Sequence, residues 1–283
     1  MKFERQSYIA GKTILVREKV KRTREKGEKR APKTNITIDQ VWESNLRQAI
    51  FDLTLKLNTN FRPGDWNLKL TFEEDVTLAD AKQARDKFTR KLRDLCKARD
   101  IELKWIIVPH VSGKRCHFHF IANSEVPLAL IKKAWTAGLV IEKAHLWDNP
   151  NYYQMASYLM HEARELRELK AGETEVPFTK RYSGSRNLDR PELIVEDMQR
   201  IDMEDEPRAR KGFIIDGEVQ RYENLINGAP CREYIQVSIE DNPRIRKWKK
   251  ATKATGERMP FAKLLREAYQ EYQLELSDMD SDF

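Results

Sequence analysis

The 283-residue sequence has few cysteines and no long apolar run, and each absence excludes a class of protein. Its three cysteines are scattered, with no pair at CxxC spacing. That pattern argues against a disulfide-rich secreted scaffold and fits a reducing compartment. No run approaches the roughly 18 apolar residues that a membrane span needs, and the first residues lack the apolar core of a signal peptide. We therefore expect a soluble protein of the cytoplasm.

A nucleotide-driven motor motif is also missing, because the sequence has no GxxxxGK[ST] loop to hold nucleotide phosphates. Charge, in contrast, is abundant. Charged residues make up 34% of the chain, and the net charge is +7 at neutral pH. This surplus fits a polyanionic partner without identifying one, since many basic proteins bind no nucleic acid.

Positive charge is concentrated at the N-terminus, where residues 1–34 hold twelve Lys or Arg against four Glu. Such a segment is either a solvated tail or an arm that follows backbone phosphates. We predict three parts: this basic arm, a central domain over 35–190 and an accessory region over 191–283. Within the central domain we predict an N-terminal helix over 37–59 and a core over 66–170.

The core alternates between strand and helix periodicity. The predicted strands are 66–72, 103–111, 116–122 and 139–144, and the predicted helices are 77–95, 128–137 and 152–169. Strand, helix, hairpin, helix, strand, helix is the order of a split βαβ unit. We therefore expect an α+β fold of the ferredoxin-like (RRM-like) type: an antiparallel sheet with its helices on one face, extended at both termini.

All five histidines lie within a window of 52 residues, and two of them are on one predicted strand. His117 and His119 share a face of that strand, while Phe118 and Phe120 face the interior. Two imidazoles so placed can bind one divalent cation through bonds of about 2 Å. The alternative is that both are ordinary polar positions on a half-exposed strand.

His110 is a candidate third ligand. If the hairpin turns symmetrically about residues 113 and 114, His110 pairs with His117 and its ring lies on the same face. A loop of odd length would break this register.

The last predicted helix of the core carries a tyrosine beside two further polar residues. Tyr158, His161 and Glu162 share a helical face because they are spaced i, i+3 and i+4. A phenol with its ordinary pKa of about 10 is a weak nucleophile unless a base or a cation assists it. The alternative is that Tyr158 packs with Met155 and Leu159 against the sheet.

Together these motifs resemble rolling-circle replication initiators of the HUH endonuclease superfamily, of the kind found in phages and mobile elements of Gram-positive bacteria. The resemblance covers residues 50–190. Asn67–Phe72 is similar to the family's first motif, a strand ending in Leu-Thr-Phe. His117–His119 matches the motif that names the superfamily, and Tyr158–Glu162 is similar to its tyrosine helix. Lesser similarities are found at Trp135–Gly138, Tyr182–Leu188 and Lys211–Phe213, and in the basic N-terminal part.

The chain departs from the family pattern at three positions. The family usually has a lysine three residues after the tyrosine, where this chain has His161. Many relatives have a glutamate as third ligand on the strand before the histidine pair, where the nearest equivalent here is His110; Glu162 is the alternative ligand. Some members have two tyrosines at YxxxY spacing, but Gln154 occupies that position, which indicates a single-tyrosine enzyme.

The resemblance implies a site-specific single-strand DNA endonuclease and ligase that starts rolling-circle replication. Tyr158 would form a 5′-phosphotyrosine with His161 assisting, next to Mg²⁺ or Mn²⁺ held by the histidines. The implied partners are single-stranded origin DNA, a host helicase and a host DNA polymerase, in the cytoplasm of a bacterial host. Lys114, Arg115 and Arg186 are candidate contacts to backbone phosphates, or else plain surface charges.

Two other functions stay open at this point. The same chemistry also serves transposases and conjugative relaxases, which the motifs hardly distinguish from replication initiators. A non-catalytic single-strand-binding module is the other alternative. Such modules stack bases on exposed sheet aromatics, whereas Phe118 and Phe120 are predicted to face inward.

Overall fold

The computed structural model describes residues 2–21, 37–112, 115–162, 180–201, 203–225, 228–241 and 246. In these ranges the chain is a mixed α+β protein with antiparallel sheets and four helices, which confirms the predicted α+β class. The helices are α1 (Ile38–Asn60), α2 (Leu78–Lys97), α3 (Leu128–Ala134) and α4 (Tyr153–Glu162). The strands are β1 (Phe3–Ala10), β2 (Thr13–Val20), β3 (Trp66–Thr71), β4 (Trp105–Ser112), β5 (Arg115–Ala122), β6 (Val140–His145), β7 (Ser183–Gly184), β8 (Glu192–Met198), β9 (Phe213–Ile215), β10 (Gln220–Glu223) and β11 (Pro230–Ser238).

A five-stranded antiparallel sheet, in the order β6-β3-β5-β4-β7, forms the centre of the described chain. Its first four strands, together with α2, α3 and the start of α4, lie within three residues of the boundaries predicted from periodicity. Residues 163–169 of the last predicted helix lie outside the described ranges. Local pattern therefore fixes the elements of this sheet.

One face of the central sheet is covered by α2 and α3. Leu68, Leu70, Phe118 and Phe120 are fully buried there, and Phe88 of α2 packs edge-on against Phe120. Side chains of a strand alternate between faces, so burial of these residues sends their neighbours His117, His119 and Lys69 to the other side.

The expectation that all helices cover one face is wrong, because α1 and α4 pack on the second face. Their apolar residues contact Ile106, Val108 and Ile121. The physical reason lies in β4, where Ile106, Ile107 and Val108 form a continuous apolar run that is buried on both sides. The second face is therefore only partly open.

The N-terminal prediction also needs correction. Residues 3–20, expected as part of a basic arm, form the hairpin β1–β2 within a second sheet of order β10-β11-β2-β1-β8, in which β9 pairs with β11. Its apolar residues, such as Leu15 and Ile235, pack against Phe51 and Leu55 of α1. Burial of this apolar face is what orders the hairpin. The most basic stretch, residues 22–30, lies outside the described ranges.

The regions predicted as separate parts, 1–34 and 191–283, thus both contribute strands to one sheet. Helix α1 lies between this sheet and the central sheet. The described chain contains no helix with both the length and the apolar character needed to cross a membrane.

Candidate functional site

Three imidazoles converge at one end of the second face of the central sheet. His110 is the antiparallel neighbour of His117, which confirms the register expected for a symmetric hairpin. His119 lies two residues further along the same strand. All three side chains are more than nine-tenths buried, and one nitrogen from each lies within 4.8 Å of the others. We call these residues the histidine triad.

Residues on the opposite face of β5 fix the strand register that positions the triad. Phe118 and Phe120 are anchored in the core beneath it, so β5 cannot slip by one residue without exposing them. Cys116 belongs to the same buried cluster. Burial raises the pKa of its thiol to about 12, which keeps the thiol protonated at neutral pH, and strand alternation places it on the face opposite the triad.

The donor set of the triad fits a divalent cation. His110 Nδ1 lies 2.9 Å from His117 Nε2. When one of these nitrogens carries a proton, that contact is a hydrogen bond. Two nitrogens bound at right angles to one cation, each about 2.05 Å away, would also lie about 2.9 Å apart. The spacing of His110 and His117 therefore suits a shared proton and a shared ion alike.

Tyr158 of α4 lies beside the triad and is open to solvent. Its ring centre is 5.8 Å from that of His119, nearly perpendicular to it, and the residue is 39% exposed. The core positions on this helix are taken by Met155 and Leu159, which are buried. The alternative in which Tyr158 fills the core is therefore excluded.

The two neighbouring tyrosines occupy different environments. Tyr152 is fully buried and Tyr153 is half-buried. In both, burial is the largest cause of a raised pKa. A raised pKa makes the phenolate scarcer in both, and both are less exposed than Tyr158.

The structure brings only some of the other predicted site residues to the triad. His161 is exposed on α4, one turn after Tyr158. The side chains of Glu162 and Arg115, and all of Lys114, lie outside what the structure describes. The choice of Glu162 as an alternative ligand therefore stays a prediction.

Arg186 lies near the other end of β4, away from the triad, and its contact with a backbone phosphate stays a prediction. Its neighbour Gly184 pairs with Ile106, four residues from His110, or roughly 13 Å at the rise of a strand. Arg186 instead borders a groove of about 690 Å³ between α2 and β4.

Sequence reasoning overlooked Lys69, which lies directly across from His119 in the β3–β5 pairing. Alternation along β3 places Lys69 on the face away from Leu68 and Leu70, but alternation does not reveal which strand lies next to it. His145, in contrast, is not part of the triad: its ring stacks on Trp66, and its Nδ1 lies 2.7 Å from the carbonyl oxygen of Gly64.

Comparison with known proteins does not identify a family for the chain. No protein-family model, no curated protein and no solved structure matches it. Any functional conclusion therefore rests on the geometry of the histidine triad and Tyr158.

Proposed function

We propose that the chain is an HUH-type endonuclease that nicks and rejoins single-stranded DNA through Tyr158 at the start of rolling-circle replication. One observation carries this proposal: a solvent-exposed phenol lies 5.8 Å, ring centre to ring centre, from a buried imidazole that belongs to a cluster of three. Metal-assisted phosphoryl transfer to a tyrosine needs these two components side by side.

The strand order supports the proposal. β3 and β4 lie on either side of β5, β6 lies beyond β3, and all neighbours are antiparallel. The two connecting helices, α2 and α3, share one face. These pairings are compatible with a split βαβ unit of ferredoxin-like type, the fold that the motif resemblance implies.

His110, His117 and His119 would hold the divalent cation, Mg²⁺ or Mn²⁺. When bound, such an ion supplies Lewis-acid neutralisation of the charge that develops on the phosphoryl oxygens. Burial of the three rings restricts their rotamers and keeps bulk water away from their nitrogens. A phosphate bound to such an ion would lie next to Tyr158.

Tyr158 Oη attacks the phosphorus in this proposal. A new Oη–P bond forms and the bond from phosphorus to the 3′ oxygen breaks. The strand downstream of the nick stays attached to the protein through its 5′ phosphate. The phenol loses its proton, and the departing 3′ oxygen gains one. His161 lies one turn after Tyr158 on the same face of α4, and in this proposal it moves the proton or positions the phosphate.

The freed 3′ hydroxyl then primes a host polymerase, and reversal of the attack rejoins a strand. Because one phosphodiester is exchanged for another, no nucleotide cofactor is required. A host helicase would open the duplex in the bacterial cytoplasm.

A transposase or relaxase would use the same geometry, and no described feature favours either. A non-catalytic single-strand-binding module is disfavoured, since Phe118 and Phe120 are fully buried and offer no stacking surface.

An adduct-trapping experiment tests the proposal. The protein is incubated with Mn²⁺ and single-stranded oligonucleotides that contain a random central region, and DNA that stays bound under denaturing conditions is sequenced. We expect one enriched sequence, linked through its 5′ phosphate. Tyr158→Phe should abolish the adduct but not DNA binding, and Tyr153→Phe, the matched control, should retain it. Absence of any adduct from the wild type, with Mn²⁺ bound, would refute the endonuclease.

A further inference from the structure

A cation lies on the open side of the histidine triad. Lys69 of β3 is paired with His119 on one side and with Ile141 of β6 on the other. Directly opposed residues of an antiparallel pair have Cβ atoms about 4.5–5.5 Å apart. The half-buried Lys69 therefore extends from the same face as the triad, one strand away from it.

Other described elements lie beside the triad on the remaining sides of this face. α1 and α4 cover the side of the sheet formed by Ile106, Val108 and Ile121, and Tyr158 borders the triad from α4. Among the described elements, β3 and β6 therefore offer a path for a strand of DNA that reaches Tyr158.

That open surface has the character of a nucleic-acid contact. Beyond Lys69, Ile141 is 43% exposed although it is a large apolar residue in a sheet. Leu139, two residues earlier, is exposed as well. An ammonium beside apolar side chains suits a ligand that alternates phosphates with bases.

Charge gives a second reason. The triad consists of imidazoles, which bind a metal in their neutral form, so the only positive charge that it contributes to a phosphodiester is that of the ion. Lysine is a compact cation that binds phosphate as a point charge. Lys69 is the described cation directly paired with a triad residue.

We propose that Lys69 binds a phosphate of the DNA strand next to the scissile position and directs that strand from the triad across β3 and β6. This inference rests on the proposed endonuclease, whose reacting groups it leaves unchanged. Lys69 acts by donating hydrogen bonds to a non-bridging phosphate oxygen and takes part in no covalent step.

The first test measures adduct formation with the oligonucleotide recovered by adduct trapping. Lys69→Gln removes the charge and should slow single-turnover adduct formation by about ten- to hundredfold, the effect of losing one charge-assisted hydrogen bond. Lys69→Arg should restore most of the rate. Lys132→Gln makes the same charge change at an exposed position of α3, on the opposite face of the sheet. Its rate of adduct formation should match that of the wild type.

The second test needs no reaction. In the Tyr158→Phe background with Mn²⁺, the affinity for an oligothymidylate is measured against salt concentration. One lost phosphate contact lowers the slope of log affinity against log salt by about 0.7 for a single strand. We expect that decrease for Lys69→Gln and none for Lys132→Gln, with Mn²⁺ affinity unchanged in both.

The outcomes separate the two proposals. A wild type that forms adducts, combined with an unchanged rate or salt slope in Lys69→Gln, overturns the role of Lys69 alone. Loss of Mn²⁺ binding in Lys69→Gln overturns it too, because the residue would then support the triad rather than the DNA. A wild type that forms no adduct overturns the endonuclease and, with it, this inference.

Discussion

His110, His117 and His119 differ from the other histidines in burial and in mutual distance, and metal binding should reflect that difference. His117→Ala removes a donor from the centre of the hairpin pair and should weaken Mn²⁺ binding by more than about tenfold, since even residues that only support a ligand contribute that much. Isothermal titration calorimetry measures the change. His145→Ala is the control and should bind like the wild type, because the ring of His145 packs on Trp66.

The identity of the donors predicts which metal binds best. Imidazole nitrogens favour Zn²⁺ and other borderline ions, whereas Mg²⁺ prefers oxygen. We expect Zn²⁺ to displace Mn²⁺ and Mg²⁺ to bind most weakly in competition titrations. Glu162→Gln should change this order little if the triad alone forms the site. A marked loss of Mg²⁺ or Mn²⁺ affinity in that variant would show that Glu162 supplies an oxygen ligand.

At the residue scale, the sequence could predict which side chains share a face but not which strands become neighbours. The His110–His117 pairing was predictable because the two positions are joined by a short turn. Lys69 and His119 are neighbours because β3 pairs with β5, and α2 and β4 separate these two strands in the sequence. Periodicity contains no information about such a contact.

Among the elements, α1 has the clearest local determinant. Thr37 accepts a hydrogen bond from the backbone N–H of Gln40, and the Gln40 side chain accepts one from the backbone N–H of Thr37. Thr37→Ala removes half of this capping box and should lower the free energy of unfolding by about 0.5–2 kcal/mol. Chemical denaturation measures it. Thr89→Ala is the control: this half-buried threonine in the middle of α2 donates its hydroxyl to the Asp86 carbonyl oxygen and caps no helix end.

The element boundaries of the central sheet were predictable because each is set by nearby residues. Thr37 and Thr77 mark the starts of α1 and α2, and alternation marks β3 and β5. The placement of α1 was not predictable in the same way. Its residues Leu53 and Leu57 pack in the core of one sheet, while Phe51 and Leu55 pack in the core of the other. The helix is therefore buried on two sides, which one apolar stripe in the sequence does not predict.

On the scale of the whole molecule, a buried ion pair joins the N-terminal hairpin to β11. The carboxylate of Glu18 is inaccessible to solvent and accepts hydrogen bonds from Arg5, Arg232 and Tyr234. Arg232→Met removes one cation from this cluster and should destabilise the protein by about 3–5 kcal/mol. Chemical denaturation should show this loss. Lys12→Met, at an exposed ion pair with Asp241, should cost no more than about 1 kcal/mol.

Pairing between distant parts of the chain also explains why the basic-arm prediction was wrong for residues 3–20. Their charges are real, but Arg5 and Arg17 form ion pairs with Glu18 and Glu233 inside a sheet. Composition shows the charge of a segment and not its partner, and here the partner of β2 is β11.

This pairing across the chain has a consequence for biosynthesis. Glu18 and Arg232 are 214 residues apart, and a ribosome that adds about 5–20 residues per second needs roughly 10–40 s to cover that stretch. The hairpin β1–β2 therefore leaves the ribosome long before its partner strand is made, while the histidine triad and Tyr158 can assemble earlier. Nascent chains are accordingly most exposed to aggregation and to chaperone capture at their first strands.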